Sequence, residues 1–213
     1  MSSIFSWRIG KSSKLIFFFP VALMGGDFYL LPSSFEAAVG ERLTVRVHYG
    51  AHFPNSDSAP VLADSGIYTA KAAYSLVNAH AEGNSIVLEG NLKAAGVAIL
   101  AAESKPRTEN GIRYLDFAKA IVVVEKADSN ATKRLGAILE IVPMALPKLG
   151  DVQFRVLFLK KPLETPLEIS IASDRITNAN GLFHFDAHQR YLLRARHTEG
   201  DTVYSATLTF EVR

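Results

Sequence analysis

The sequence contains no cysteine among its 213 residues. This absence excludes disulfide bonds, thiolate metal sites, a cysteine nucleophile and a lipid-modified cysteine behind a signal sequence. The packing of the core alone must therefore hold the fold together. Because 48% of the residues are hydrophobic and only 21% are charged, the chain is rich enough in apolar side chains to build such a core.

Acidic residues are missing from the first 26 positions. Three basic residues occupy that segment: Arg8, Lys11 and Lys14. An apolar run over residues 15–24 follows them, and the small residues Gly25 and Gly26 end the segment, an order typical of a cleavable secretory signal. The run is shorter than the roughly 20 residues of a transmembrane helix; an uncleaved anchor or a buried N-terminal helix is the alternative. We predict a signal peptide over residues 1–26 and a periplasmic or extracellular mature chain without a transmembrane span.

The basic character of the whole chain comes largely from this segment. The complete sequence has a formal net charge of +2. Without the three basic residues of the signal, 20 basic residues face 21 acidic ones, which gives the mature chain a net charge of −1. Nucleic-acid binding needs a surplus of lysine and arginine to neutralise phosphates, so no nucleic-acid partner is expected.

Motifs that carry catalysis are also missing. The sequence has no G-x-S-x-G nucleophile elbow, no H-E-x-x-H zinc motif, no P-loop and no Rossmann glycine pattern. Each of these motifs holds a reactive side chain or a phosphate in a fixed local geometry, and none of that geometry is encoded here. We predict that the protein is not an enzyme, and a carbohydrate-active or other hydrolase is the least favoured function.

The mature sequence has the pattern of short strands separated by turn residues, which predicts an all-β protein. In residues 41–49, Leu43, Val45 and Val47 alternate with polar residues, and residues 151–158 repeat this alternation. One or two helical turns are expected only over residues 113–119. Strands are predicted at 27–31, 41–49, 67–77, 85–89, 97–101, 121–124, 137–142, 152–159, 167–172, 182–185, 191–197 and 202–212.

The polar segment 127–134 divides this pattern into two halves. We predict an N-terminal β-rich domain over residues 27–130 and a C-terminal antiparallel sandwich over residues 131–213. A turn is expected at residues 178–181, where the sequence Asn-Ala-Asn-Gly lets Gly181 take a positive φ angle. The fold class is therefore two antiparallel β-sandwich-like regions.

Several blocks of the sequence, in their order and spacing, resemble the DUF4198 family, exported bacterial proteins described as periplasmic components of nickel or cobalt uptake systems. The blocks cover nearly the whole mature chain: Asp27-Phe-Tyr-Leu-Leu-Pro, Gly40-Glu-Arg-Leu-Thr-Val-Arg-Val-His-Tyr-Gly50, Arg113-Tyr-Leu-Asp-Phe-Ala, Leu139-Glu-Ile-Val-Pro143, Val156-Leu-Phe-Leu-Lys-Lys-Pro, Asn180-Gly181, Tyr191-Leu-Leu-Arg-Ala-Arg-His197 and Ala206-Thr-Leu-Thr-Phe-Glu-Val212.

The resemblance implies a β-rich N-terminal region followed by a carboxypeptidase-regulatory-like or immunoglobulin-like sandwich. It also implies Ni²⁺ or Co²⁺ as the bound ion and a membrane metal transporter as the partner. The chain departs from the family in two ways: Gly26 stands where members begin their mature chain with a histidine, and a helical insertion is missing between residues 84 and 111. The first departure weakens the case for a metal site at the N terminus.

Histidine is the ligand that this cysteine-free chain offers to nickel or cobalt. Strand parity places His184, Asp186 and His188 on the face opposite Phe183 and Phe185, with the first two about 7 Å apart; an ordinary wet strand face is the alternative. His197 best matches a family position and ends a strand two residues before Glu199, where it could equally cap the loop. The candidate metal ligands are His197, His184, Asp186, His188, His48 and His52.

His48 and His52 flank Gly50 at the start of a polar loop, where function is often found, although a structural role is the alternative. The sequence therefore favours an exported accessory or binding protein of a divalent metal uptake system. The alternative function is a cell-surface or periplasmic module that contacts a protein or a glycan and has no metal role, because sandwiches of this kind serve both purposes.

Overall fold

The computed structural model describes residues 26–171 and 174–212. The predicted signal peptide lies outside these residues except for Gly26. One 3-10 helix, Ser129–Thr132, interrupts the strands. The strands are β1 (Asp27–Pro32), β2 (Glu36–Ala37), β3 (Arg42–Gly50), β4 (Leu62–Tyr68), β5 (Ala73–Ser75), β6 (Val77–Glu82), β7 (Ser85–Asn91), β8 (Gly96–Ser104), β9 (Arg107–Glu109), β10 (Ile112–Val124), β11 (Leu139–Pro143), β12 (Gly150–Phe158), β13 (Lys161–Leu163), β14 (Leu167–Ile171), β15 (Asp174–Asn178), β16 (Leu182–Phe185), β17 (Arg190–Glu199) and β18 (Thr202–Glu211).

These strands form three sheets. A front sheet has the order β1-β3-β7-β6, and a back sheet has the order β11-β12-β13, with β16 also paired to β12. A ten-stranded central sheet runs β15-β14-β17-β18-β10-β8-β4-β5, and β2 and β9 pair with β10. Pairing is antiparallel except where β10 meets β18 and β2. The predicted all-β class with antiparallel, sandwich-like regions is confirmed.

The central sheet buries both of its faces. In β8, Val97 and Ile99 belong to the core shared with the back sheet, whereas Ala98 and Leu100 belong to the core shared with the front sheet. Successive side chains of a strand point to opposite faces, so a strand covered on both sides must be apolar at every position. The continuous apolar run at residues 121–124, predicted as a buried strand, lies in β10 and is confirmed.

The helical turns predicted over residues 113–119 are wrong. These residues belong to β10, a 13-residue strand, and residues 113–120 pair in parallel with residues 202–209 of β18. The aromatic spacing of this segment fits a helix as well as a strand. Its partner lies almost 90 residues further along the chain, so local pattern could not identify the pairing.

Several strands lie outside the predicted ones: β2, β9, β13 and β15 wholly, and β6 except for Val77. All six residues of β6 are exposed at the edge of the front sheet. β15 is also an edge strand: it lies at one end of the central sheet and pairs with β14. The turn between β15 and β16 contains Gly181 at φ +66°, as predicted. It carries the chain from the central sheet to the back sheet, because β15 and β16 pair with different strands.

The two halves of the chain share the central sheet. β11 to β18 build two sheets around one core, as in immunoglobulin-like sandwiches. β18 also pairs in parallel with β10 of the first half, over eight residue pairs. The predicted boundary at residues 130 and 131 falls inside the 3-10 helix. The division into two domains stays a prediction, and its test is described in the Discussion.

β1 is a second element of the first half that contacts β18. It is an edge strand of the front sheet, and that edge lies against β18, where Thr207 and Thr209 donate hydrogen bonds to the carbonyls of Phe28 and Leu30, each at 2.6 Å. Buried backbone carbonyls need such partners. The sheet edge is therefore closed by side chains, and β1 is fixed at the junction of the two sandwiches.

Candidate functional site

His184 is the predicted ligand whose surroundings best suit metal binding. It lies in β16, opposite Asp151 of β12, and its Nδ1 is 2.7 Å from Asp151 Oδ1. A carboxylate accepts hydrogen bonds, so Nδ1 carries the proton and Nε2 is the free acceptor. Nε2 makes no hydrogen bond to any residue that the structure describes. Both side chains are about two-thirds exposed, at 68% and 67%.

Asp186 and His188 follow His184 on the exposed side of the chain. Phe183 and Phe185 are buried in the back core, as predicted, so His184 lies on the opposite face of β16, and Asp186 is exposed one residue beyond the end of that strand. His188 is exposed in the loop that leads to β17. Within residues 26–171 and 174–212, however, no group of three or more metal-binding side chains is assembled. The structure provides a histidine with a neighbouring carboxylate, and not a complete set of protein ligands around one ion.

His197 lies too far from His184 to share an ion with it. Its ring packs on Phe158, with ring centroids 4.4 Å apart, and on Tyr204 at 6.3 Å. Phe158 is seven residues along β12 from Asp151, the neighbour of His184, which is about 23 Å by strand rise. His197 is half-buried in this aromatic cluster. The two histidines therefore lie near opposite ends of β12: His184 is paired with its start, and His197, in β17 of the central sheet, packs on its last residue.

His48 and His52 have different surroundings from one another. His48 is buried in β3, and its ring stacks on Tyr29 with centroids 5.1 Å apart. Ser85 Oγ lies 3.4 Å from Nδ1, while Nε2 is buried and has no hydrogen-bond partner among the described residues. Burial lowers the pKa of His48, the positive charge of Arg46 adds to this effect, and together they bring the pKa to about 4. His52 is exposed in the following loop.

Position 26 leaves no space for the histidine that the family resemblance implies there. A Cβ atom built at Gly26 would lie 2.8 Å from the backbone nitrogen of Gly50. That distance is shorter than real Cβ contacts, and its neighbour is backbone that cannot move aside. The backbone around Gly26 therefore does not fit a histidine ligand at position 26.

A charged network that the sequence did not reveal surrounds the start of β1. Asp27 accepts hydrogen bonds from Arg194 at 2.8 Å and from Arg196 at 3.3 Å, and Arg194 also binds Glu168. Asp27 is 3% exposed. Burial lowers the pKa of Arg196, and the positive charge of Arg194 adds to this effect. The network joins β1 to β17 and β14.

A second charged group lines a cleft of about 370 Å³. Arg107 of β9 donates from Nη1 to Asp116 Oδ2 at 3.2 Å and from Nη2 to the Tyr49 hydroxyl at 2.6 Å. Its guanidinium lies 4.8 Å from the ring centre of Tyr49 and 4.3 Å from that of Tyr114. Ser104 Oγ donates to the same Asp116 oxygen at 3.2 Å. Burial raises the pKa of Asp116 although Arg107 opposes the shift.

Sequence reasoning missed Asp151, Arg107 and Asp116 as members of sites. Asp151 lies at a polar position of an alternating strand, and nothing in that pattern identifies it as a site residue. Only the register of β12 with β16 brings it beside His184. Tyr114 packs on the guanidinium of Arg107, and Asp116 lines the cleft.

The fold and these sites define a β-sandwich protein with an exposed histidine–carboxylate pair on one sheet and a polar cleft elsewhere. In the described part of the chain, no helix has the length and apolar character that crossing a membrane would need. The model of the domain of unknown function DUF4198 matches residues 24–199. This match covers most of the sequence, and the chain belongs to that family.

No curated protein matches the sequence. Among solved structures, the chain is similar to the ectodomain of mouse nectin-like molecule 4, with 11% identity and a TM-score of 0.28, over 88% of this chain and 65% of that one. A chimeric titin Z1Z2 carrying a decorin peptide gives 14% identity and a TM-score of 0.24, over 89% and 99% of the two chains. Similarities at this level say nothing about function.

Proposed function

We propose that this protein is an exported accessory protein, without catalytic activity, that binds Ni²⁺ or Co²⁺ for a membrane metal transporter. Membership of DUF4198 supports the proposal through the role that the resemblance implies. The single structural observation that carries it is the hydrogen bond of 2.7 Å between His184 Nδ1 and Asp151 Oδ1.

A histidine that ligates a metal usually donates its other ring nitrogen to a carboxylate or a carbonyl. This second hydrogen bond fixes the tautomer and the ring orientation, and it makes the ligating nitrogen more basic. Asp151 would do this for His184, which leaves Nε2 directed to solvent. Imidazole nitrogen is a good ligand for both nickel and cobalt. Asp151 is thus the positioning residue and His184 the ligand.

Asp186 is the second protein ligand in this proposal, because it is exposed two residues after His184, about 7 Å away by strand rise. His188 lies two residues further on and can add a third ligand if the loop moves toward the ion. Water would complete the coordination shell. Few protein ligands give a weak and labile site, which suits an ion that must be passed on to a transporter.

Calorimetric titration of the mature chain, residues 27–213, with Ni²⁺ and Co²⁺ tests the proposal. We expect saturable binding at pH 7.5 that weakens below about pH 6, where imidazole takes up a proton. His184→Ala should lose at least tenfold in affinity and Asp151→Asn a smaller factor, in line with the effect of outer-shell partners. His80→Ala, at an exposed position of β6 in another sheet, is the matched control.

Two results would overturn the proposal. Heat no larger than dilution at micromolar protein would exclude a metal role. Saturable binding that His184→Ala leaves unchanged would move the site elsewhere, and the same titration of His197→Ala and His48→Ala variants would then show where.

A further inference from the structure

The cleft beside Asp116 is separate from the proposed metal site and has no role in it. The end of β3, the loop at residues 58–61 and the β8–β9 connection form its walls. A smaller cleft of about 120 Å³ lies on the other side of Ser104, Pro106 and Asp116, so the carboxylate stands between two open spaces. A volume of about 370 Å³ is at the lower end of the range for small-molecule sites.

Asp116 supplies an acceptor that its own neighbours leave open. Its Oδ2 atom accepts hydrogen bonds from Ser104 and Arg107. Its Oδ1 atom makes no hydrogen bond to another residue that the structure describes, and it is not fully enclosed. Because the residue as a whole is 7% exposed, protein atoms surround most of this acceptor, and solvent or a ligand can reach it only from its open side. Such an atom gains from a hydroxyl or amide donor.

Arg107 presents donors in a fixed orientation. Two tyrosine rings enclose its guanidinium, and hydrogen bonds to Asp116 and the Tyr49 hydroxyl hold two of its nitrogens. A guanidinium has five N–H groups, so hydrogens remain for a ligand oxygen. Because the side chain is already ordered, a ligand need not provide the free energy of ordering it.

The charges around the cleft balance. Two basic and two acidic side chains line it: Lys105, Arg107, Glu109 and Asp116. A charged ligand of either sign would meet two attracting and two repelling groups, so it would gain no net Coulomb attraction over a neutral one. The remaining wall is partly apolar, with Pro60, Val61 and Pro106. This combination of neutral charge, mixed donors and acceptors, and small apolar surfaces suits a polyhydroxylated ring.

We propose that this cleft binds a neutral saccharide of one or two rings. Hydroxyl groups of the sugar donate to Asp116 Oδ1 and accept from Arg107, and the C–H face of the ring packs on the proline and valine side chains. The site is independent of the metal function, because it shares no residue with His184, Asp186 or Asp151.

The test is a set of NMR titrations of the isotope-labelled mature chain, run without added metal. Maltose, cellobiose and di-N-acetylchitobiose are the neutral probes, and glucosamine and glucuronate are the cationic and anionic ones. We expect at least one neutral disaccharide to shift the amide signals of Arg107, Asp116 and their neighbours saturably, with millimolar or tighter affinity, and more strongly than either charged sugar.

Ala59→Trp is the blocking variant, since Ala59 is exposed on the cleft wall and its replacement leaves the core untouched. Binding should fall at least tenfold. Val39→Trp, at a residue that is 43% exposed and does not line the cleft, is the matched control and should bind as the wild type does. The proposal is overturned if no neutral sugar shifts these signals, if a charged sugar binds more tightly, or if Ala59→Trp binds with unchanged affinity.

Discussion

At the scale of single residues, His48 shows how the fold changes the chemistry of a side chain. The residue is 6% exposed, its ring stacks on Tyr29, and one ring nitrogen has no partner among the described residues. An imidazolium ion at this position would be a buried charge without a counter-ion. Burial therefore lowers the pKa to about 4. A neutral, stacked His48 suits the structural role that the sequence left open as the alternative to a ligand role.

The pH dependence of stability follows from this pKa. The unfolded chain binds the proton with a pKa of about 6.5, whereas the folded chain binds it at about 4. Acid therefore favours unfolding between these two values, and the loss is complete only below the folded-state pKa. From pH 7 to pH 4.5 the contribution of His48 to the free energy of unfolding should fall by about 2 kcal/mol.

His48→Phe tests this prediction, because phenylalanine keeps the stack on Tyr29 and cannot titrate. Urea unfolding at pH 7 and pH 4.5 should show a loss of stability that is about 2 kcal/mol smaller in the variant than in the wild type. Equal losses of stability in both proteins would mean that folding does not lower the pKa of His48.

At the scale of elements, the alternating strands were the most predictable part of the fold. The three apolar residues of β3, Leu43, Val45 and Val47, are all fully buried, and β12 follows the same rule. Such strands pack on one face, so a period of two appears in the sequence. β10 lacks this period because it is covered on both faces, and its first half needs a distant parallel partner.

The candidate site was predictable only in part. Strand parity correctly placed His184 opposite the buried Phe183 and Phe185. It could not reveal Asp151, since the register between β12 and β16 is a tertiary property. The sequence likewise gave no reason to join Asp116 to Arg107 and Tyr49, which come from three strands. The sequence shows which residue types are present, but it does not show which of them become neighbours in the folded chain.

Lys119 of β10 and Glu140 of β11 link the central sheet to the back sheet. Their side chains are 2% and 1% exposed, and Lys119 Nζ donates to Glu140 Oε1 at 2.9 Å. Burial lowers the pKa of Lys119, and the carboxylate of Glu140 opposes this shift. Glu140 also accepts hydrogen bonds from the backbone N–H groups of Leu135 and Gly136. Loss of one partner would leave the other as a buried, uncompensated charge.

Lys119→Met should therefore lower the free energy of unfolding by about 3–5 kcal/mol. The double variant Lys119→Met/Glu140→Gln should recover most of this loss, because glutamine is neutral and its carbonyl still accepts a backbone N–H. Chemical unfolding of the wild type, both single variants and the double variant would measure the coupling. A double variant as unstable as Lys119→Met alone would contradict a cost that arises from the unpaired charge.

At the scale of the whole molecule, the shared central sheet connects the two halves. β10 and β18 pair over eight residues. β1, from the first half, accepts hydrogen bonds from threonines of β18 and from the arginines of β17. Removal of residues 131–213 would expose one face of β8 and β10 and an edge of β10. Large exposed apolar surfaces and unpaired edges favour aggregation.

We expect the mature chain to unfold in one cooperative transition, with coincident signals from near-UV and far-UV circular dichroism. A fragment of residues 27–130 should be insoluble or lack a cooperative transition. Two separate transitions in the full chain, or a stable and folded fragment, would instead support the division into two domains that the sequence predicts.

The most direct test of the metal-binding account is to observe the histidine side chains during a Zn²⁺ titration, with Zn²⁺ as a diamagnetic stand-in for Ni²⁺. In long-range ¹H–¹⁵N spectra of the mature chain, the Nε2 signal of His184 should shift saturably, while the ring signals of His48 and His197 stay in place. The result that would contradict the account is an unchanged His184 signal at millimolar Zn²⁺.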